Sequence, residues 1–554
     1  MTVRAASLSF VLLTSIVAVS NAQQNRDSVD ARRRAVSAQA RFEMVRRTNL
    51  PTQASGGGGS SCDARIGRFC QWNDTDDTVE AKQPRVIRRA REVLVKSLDS
   101  LARKSPRDGW ITGQRIRYLI EMKNDSAALR VAHECRAAEW WCAALEGLAY
   151  HELGHGVEAD SAFAHALRTM PANERCRWTD MTSLLDSNLK SRYKKVGCGR
   201  NEDVAERVWW LADPFWSRPG NERRAEHYAR HTMAKIQEPA RNAYNLAWSN
   251  DMREMVVRYG WARYWTRGYG TAFDPNGGSI SGHEATPNYH FVPVSLTLDS
   301  VPGVGFDLDL DQSSERYSPF GAKRLVEIDP QVAIFRRGDS AVVVAVYDVN
   351  ERKNFDTSAV SAALVLSTDE KSAPRIAIDS SRRAAMVVTT TASPQLMSLE
   401  VMNDGERGGA AWKRAGLAIT PPPTGISLSD PLIFSPDGDV HDLESALRFA
   451  TGSNTVKREK IGVYWETYGL QQSDSTQPVS LSLTRVGTGF FQKLGESIGL
   501  SSRMSPLKIQ WNQVSSGTIA YRALILDLAL IPRGRYMLQV ETGGAVSSRN
   551  LEIQ

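Results

Sequence analysis

The stretch WCAALEGLAYHELGHGVEADSAFAHALRTMP, residues 141–171, admits two backbones, and the choice between them decides how the chain is read. On the first, one unbroken helix carries His151 and His155 on the same face with Glu152 between them, the H-E-x-x-H arrangement in which two imidazoles hold zinc and the carboxylate activates water. On the second, a helix stops near Leu153, Gly154 takes the left-handed conformation, and a new helix starts near Val157 with His155 in the turn. The peptidase backbone also needs a third ligand. Its extended pattern would place glycine and histidine where this chain has Glu158 and Ser161. A glutamate from a later helix is the remaining source, and Glu226 in AEHYARH is the candidate. The broken backbone satisfies more positions, so the main reading has no catalytic residue and no cofactor. Zinc held by His151 and His155, with Glu152 as general base, is the alternative.

The positions that favour the break are Gly147, Tyr150, Gly154, Ala159, Phe163, Ala166 and Pro171. Their small-and-aromatic spacing resembles the tetratricopeptide repeat, in which two antiparallel helices lock through these residues. Upstream, residues 78–106 carry apolar positions at helical spacing, among them Ile87, Leu94, Leu98 and Leu101. Trp110, Gly113, Tyr118, Leu119 and Ala128 then suggest a degenerate helical hairpin turning at Lys123-Asn124-Asp125. One such repeat cannot bury its apolar face alone, so a stack over residues 62–200 is expected. The resemblance implies a concave surface for a peptide or partner protein. Trp140 and Trp141 are read as packing residues.

Residues 1–22 read as a secretory signal, with Arg4, an apolar run from Leu8 to Val19, and Ser20-Asn21-Ala22 before the cleavage point. No later window has the ~20 apolar residues a membrane span needs. Six cysteines, Cys62, Cys70, Cys135, Cys142, Cys176 and Cys198, suit disulfides in an exported chain, and sequential pairing is the simplest arrangement. A net charge of +7 does not indicate nucleic acid, because 69 basic residues are spread among 62 acidic ones and no recognition module is visible. Arg32, Arg33, Arg34, Arg41, Arg46 and Arg47 form a local basic arm, read as solvated, before the Gly/Ser linker that completes residues 23–61.

Residues 201–290 are dense in tryptophan, arginine and glutamate. Trp209-Trp210-Leu-Ala-Asp213-Pro214-Phe215-Trp216, an arginine-rich helix from Glu222, and Ala247-Trp248-Ser-Asn-Asp251 followed by Arg258-Tyr259-Gly260 resemble the GWxTD-domain family of exported bacterial proteins. Alanine and asparagine replace the motif's glycine and threonine at 247 and 250, while Trp248 and Asp251 are kept. The family carries no settled activity to transfer. Asp213, Arg223, Glu226, Asp251, Arg253 and Glu254 are opposite charges among tryptophans, which suits partly buried ion pairs more than a catalytic carboxylate pair. His283 and Glu284, in a glycine-rich loop, are expected to be exposed.

After Tyr289 short alternating runs replace helices, implying β-sandwiches over residues 291–420 and 425–554, joined by the stiff Thr420-Pro-Pro-Pro-Thr424. Tyr464, Trp465 and Tyr468 resemble the C-terminal strands of the same family and are read as core. A sugar platform there would make the chain a glycan-binding surface protein, the third reading. Asp307, Asp309 and Asp311 alternate on a likely strand and lack calcium-loop spacing. The expected fold is multidomain α+β: an antiparallel helical stack of tetratricopeptide type, then antiparallel β-sandwiches. The expected partner is another exported or envelope protein, in the periplasm or at the surface of a bacterium.

Overall fold

Helices hold most of the described residues up to Tyr259, and strands most of those after Arg324, following the change in apolar period from helical to alternating. The computed structural model describes residues 6–53, 62–71, 80–185, 187–199, 202–269, 278–284, 289–293, 313–320, 322, 324–350, 352, 355, 359–403, 409–470, 476–486, 507–514 and 519–554. Within the first helix, side chains are described from Arg26 on. The Gly/Ser linker at 55–60 and the acids Asp307, Asp309 and Asp311 lie outside the described residues. Two compact units result. Among the described residues, the helical unit runs to Phe320 apart from residues 215–217, and the sheet unit holds those three residues together with those from 322 on.

In the helical unit, α1 (Ala6–Thr48) packs along α2 (Arg85–Lys104) and buries Ala31, Ala35, Ala38 and Phe42. This corrects the expectation of a solvated arm. Arg33 and Arg34 do face solvent beside Asp30, but Arg32 reaches Asp108 at 2.6 Å and lies over the Trp110 ring. Arg46 is fully buried against Glu121, and Glu121 also receives Arg91 and Arg117, each at 3.3 Å. The partners lie about seventy residues away in sequence, so no local reading of the arm reveals them.

A small hairpin follows α1, β1 (Ala64–Ile66) with β2 (Phe69–Gln71), closed by Cys62–Cys70. Next come α3 (Gly109–Glu121) and α4 (Asp125–His133). Asp108 starts α3 by accepting from the Trp110 and Ile111 amides at 2.9 and 3.1 Å, which satisfies two of the orphan donors at the helix end. α5 (Glu139–Glu152) and α6 (Gly156–Thr169) form the tightest helix pair. A Cβ on Gly147 would sit 2.6 Å from the Phe163 ring, so only glycine lets these two helices approach so closely. Ala159, Phe163 and Ala166 are buried on the facing side.

α7 (Ala172–Thr179), α8 (Ser187–Val196), α9 (Glu202–Ala212), α10 (Glu222–Gln237) and α11 (Asn250–Tyr259) complete the helices of this unit, with α10 buried along most of its length. Cys135–Cys142 joins α4 to α5, and Cys176–Cys198 ties α7 to the segment after α8. The pairing is the sequential one, and three disulfides fit an exported protein. Strand β3 (Tyr264–Arg267) pairs with β4 (Ile280–His283). His283 is therefore not exposed as expected: it stacks on Tyr264 with ring centroids 4.4 Å apart and bonds Thr266 at 2.8 Å. Among the described residues no helix is long and apolar enough to cross a membrane.

The sheet unit opens with β5 (Arg324–Glu327), β6 (Gln331–Arg337), β7 (Ser340–Asp348), β8 (Val360–Ser367), β9 (Arg375–Asp379), β10 (Arg383–Thr391), β11 (Gln395–Asn403) and β12 (Gly409–Leu417). They form a three-stranded sheet, β10-β7-β6, and a five-stranded one, β5-β12-β11-β8-β9. Val343, Ala345 and Tyr347 from one sheet meet Leu364, Leu366, Leu399 and Val401 from the other. Period-two alternation supplies these inward residues.

The second strand set is β13 (Ser427–Leu428), β14 (Leu432–Phe434), β15 (Thr455–Val456), β16 (Lys460–Tyr468), β17 (Thr476–Arg485), β18 (Leu507–Val514), β19 (Ile519–Asp527), β20 (Gly534–Thr542) and β21 (Ala545–Ile553), with α12 (Leu443–Phe449) inserted. β16 pairs with β13 and β14 on one side and β19 on the other, while β15-β21-β20-β17-β18 makes the facing sheet. Two pairings, β5 with β12 and β15 with β21, are parallel, which departs from the all-antiparallel expectation. The two strand sets also share a core. Phe335, Val342 and Val344 pack against Leu432, Phe434 and Tyr464. The triple-proline segment therefore does not hold two separate bodies apart.

Candidate functional site

The backbone breaks inside the quoted stretch. α5 ends at Glu152, Gly154 sits at φ +73°, and α6 starts at Gly156. The His155 amide bonds back to the Tyr150 carbonyl at 3.0 Å and the Gly154 amide to His151 at 2.9 Å, closing the helix end as left-handed glycine caps do. The imidazoles of His151 and His155 therefore do not converge. His155 stacks on Tyr150, whereas His151 turns into the helical unit toward α10. A zinc peptidase needs both on one continuous helix, and here the helix stops between them. Among the described residues no group of three His, Cys, Asp or Glu side chains is placed to hold a metal.

His151 instead meets Glu226, Nε2 to Oε2, at 2.5 Å, and the other Glu226 oxygen accepts from Arg230 one turn along α10. Burial opposes ionisation of Glu226, but Arg230 and His151 outweigh it and hold its carboxyl well below the usual range. Burial likewise opposes protonation of His151, yet Glu226 raises its pKa. Arg230 is fixed further by the Arg258 and Arg316 carbonyls at 2.6 and 2.7 Å. Glu152 is gripped by Arg263 through both oxygens at 2.6 and 3.2 Å. A general base for water would need that carboxylate free, and here it is an ion-pair partner.

The pair Glu152–Arg263 lines two adjoining cavities, together with Trp261 and Glu284. One, of about 140 Å³, also carries His151, Glu226, Tyr259 and Tyr317; the other, of about 310 Å³, also carries Glu80, Lys123, Asp125 and Tyr264. Burial, reinforced by nearby Glu152, pushes Asp125 up to about 6. Together the cavities make a cleft beside the α5–α6 turn, lined by both signs of charge and by aromatic rings.

The other sequence-selected residues do not gather there. Tyr150 bonds His133 at 3.2 Å, and Pro171 is exposed at the start of α7. Asp251 receives the Arg68 guanidinium at 2.8 Å, fastening the disulfide hairpin to the start of α11; this contact and the Ser249 hydroxyl hold its carboxyl far below the ordinary range. Trp248 packs on the helical core. Asp213 is buried in the helical unit, while Trp216 belongs to the sheet unit, where it covers Arg414 at 4.0 Å and donates its amide to Glu400 at 2.8 Å. Arg253 pairs with Glu238 and Glu254 with Arg258, at 2.7 and 2.9 Å. Arg223 binds Glu315 at 2.8 Å, and Glu315 also accepts the Phe291 and Val292 amides.

Sequence reasoning missed Glu315 and Arg263, and it read Arg46 as solvated where it is buried against Glu121. Only the surplus of arginine over nearby acids hinted that distant carboxylates were needed. His227 and His231 lie together on α10 with ring centroids 4.6 Å apart. Burial drives both down, His227 well below its ordinary value and His231 to about 3. In the sheet unit Trp465 and Tyr464 are buried, so neither ring offers a platform to a sugar.

No protein-family model matches the chain, and no curated protein matches it. Among solved structures, a two-domain fibronectin type-III segment from chicken tenascin matches at 13% identity, covering 41% of this chain and 99% of that one, with a TM-score of 0.12. A score that low carries no argument about fold or function.

Proposed function

We propose that this chain is an exported, non-enzymatic scaffold that binds another envelope protein through the cleft beside the α5–α6 turn. The observation that carries this reading is the state of Glu152: its carboxylate is held by Arg263, at the last residue of a helix that stops short of His155. The resemblances to tetratricopeptide repeats and to the GWxTD family support it, since both point to exported or interaction proteins without a transferable chemistry. Removal of residues 1–22 as a signal would leave in place every α1 side chain that is described as buried, from Ala31 on.

A photo-crosslinking residue at exposed Lys123 tests the proposal in the native exporter. We expect a discrete adduct with one envelope protein, lost in Arg263→Glu and absent when the crosslinker sits at Leu530, which is 91% exposed in the sheet unit. Equal labelling from both positions, or none from Lys123, counts against it. Zinc-dependent peptide cleavage that disappears in Glu152→Gln would replace this reading with the peptidase one.

A further inference from the structure

Sheet edges invite pairing with other chains, and most edges of the sheet unit are short or covered. β13 and β15 have two residues each, and β5 has four. The edge of β6 is covered by side chains: Asp430 accepts from the Ile334 amide at 3.0 Å, Tyr468 from the Arg336 amide at 3.0 Å, and Arg549 donates to the Val332 carbonyl at 2.6 Å. β9 is five residues long, and its Arg375 reaches the Thr389 carbonyl of β10 at 3.2 Å. The outward side chains of β18 are Lys508, Gln510 and Asn512, all exposed and polar.

β10 is a nine-residue edge as well, but Arg375 of β9 caps its Thr389 carbonyl, which leaves β19 as the long edge with no such cover among the described residues. It runs nine residues, Ile519–Asp527, and among the described residues it pairs only with β16. It contains no proline, lysine or glycine. Its solvent face is apolar, with Ile519, Tyr521 and Ile525 at 41, 47 and 46% exposure and Ala523 between the last two.

We infer that β19 is the interface through which two copies of this chain pair, edge to edge and antiparallel, about a two-fold axis at Ala523. The argument for a second copy is self-complementarity. In that register Tyr521 of each copy faces Ile525 of the other, an aromatic–β-branched pair, and Ala523 faces Ala523. Arg522 meets Leu524 and Asp527 meets Ile519, so no like charges oppose. A shift of one residue turns the apolar face away from its counterpart, which fixes the register. The inference does not depend on the cleft.

Light scattering on the purified full chain tests it. We expect the wild type at twice the chain mass, and Tyr521→Lys and Ile525→Glu each at single-chain mass with an unchanged melting temperature. An equimolar mixture of the two variants should return to twice the chain mass, because lysine then faces glutamate in one pair and the native contact survives in the other. A monomeric wild type, or variants that stay dimeric, overturns the interface; a mixture that stays monomeric overturns the Ala523 register.

Discussion

In the helical unit Arg46, Arg223 and Arg230 are each 2% exposed or less, and each is held by a carboxylate from the helical unit itself. In the sheet unit the buried carboxylates share arginine with hydroxyls and amides. Glu400 takes the Trp216 amide, the Ser217 amide and hydroxyl, and the Ser398 hydroxyl, with Arg414 3.9 Å away, while Glu466 takes the Tyr464 and Tyr468 hydroxyls together with the Arg337 guanidinium at 2.6 and 2.9 Å. The difference follows from how each element uses its backbone. A helix satisfies its own amides and carbonyls, so the way helices dock is left to side chains, and long arginines reach across. Strands spend their backbone on neighbours, so register already specifies the packing.

The comparison can be broken at its strongest points first. Arg223→Met leaves Glu315 buried without its cation and should cost ~3–5 kcal/mol. Calorimetry should show the helical unit melting earlier with the sheet unit unmoved. Trp465→Ala should cost a similar ~3–5 kcal/mol, by cavity formation, in the sheet unit alone. Loss of both transitions together in either variant would mean the units do not melt separately.

Acid should separate them next. His227 and His231 are neutral when folded but protonate near pH 6.5 when unfolded. Their stability is complete above that pH and falls as pH drops below 6.5, for His231 down to about 3, because the unfolded chain then binds more protons. The slope is ~1.4 kcal/mol per pH unit for each histidine. The sheet unit's described histidine, His441, is exposed. Urea midpoints across this range should fall for the helical unit, and less so in His231→Phe. His151 has the opposite sign: its raised pKa gives stability below 6.5 that is lost as pH rises through the folded value.

Smaller effects sharpen the contrast within the helical unit. Gly147→Ala drives a methyl into the Phe163 ring and should cost ~1–3 kcal/mol in thermal melts. Deleting residues 1–22 should change stability by less than ~0.5 kcal/mol, since Ala31 is the first α1 side chain buried among the described residues. A larger loss would mean that the first 22 residues pack as well.

What the sequence disclosed follows the same division. Local spacing was enough for the α5–α6 hairpin, because Gly147, Gly154 and Phe163 act on each other within one turn and its neighbour. Alternation was enough for the strand-rich half, and the cysteines paired in order. Ion pairs were foreseeable as a class, but their partners were not: Arg68 for Asp251, Glu315 for Arg223 and Glu121 for Arg46 are set by tertiary approach, which no local pattern encodes. The shared core of the two strand sets was hidden for the same reason, since Phe335 and Tyr464 meet across 129 residues. Of the cleft, His151, Glu152 and Glu226 were singled out in the sequence, but Arg263 and Trp261 were not.

The sign of one substitution tests the account most directly. With Gly154 at φ +73°, replacing it by alanine forces a side chain into a left-handed backbone and against the Phe320 ring, so the melting temperature should fall, with zinc present or absent. On an unbroken zinc-binding helix the same Gly154→Ala change removes a helix-interior glycine and should stabilise by ~1 kcal/mol. A rise in melting temperature, above all one that grows with added zinc, would contradict the reversal at residue 154 and the scaffold reading built on it.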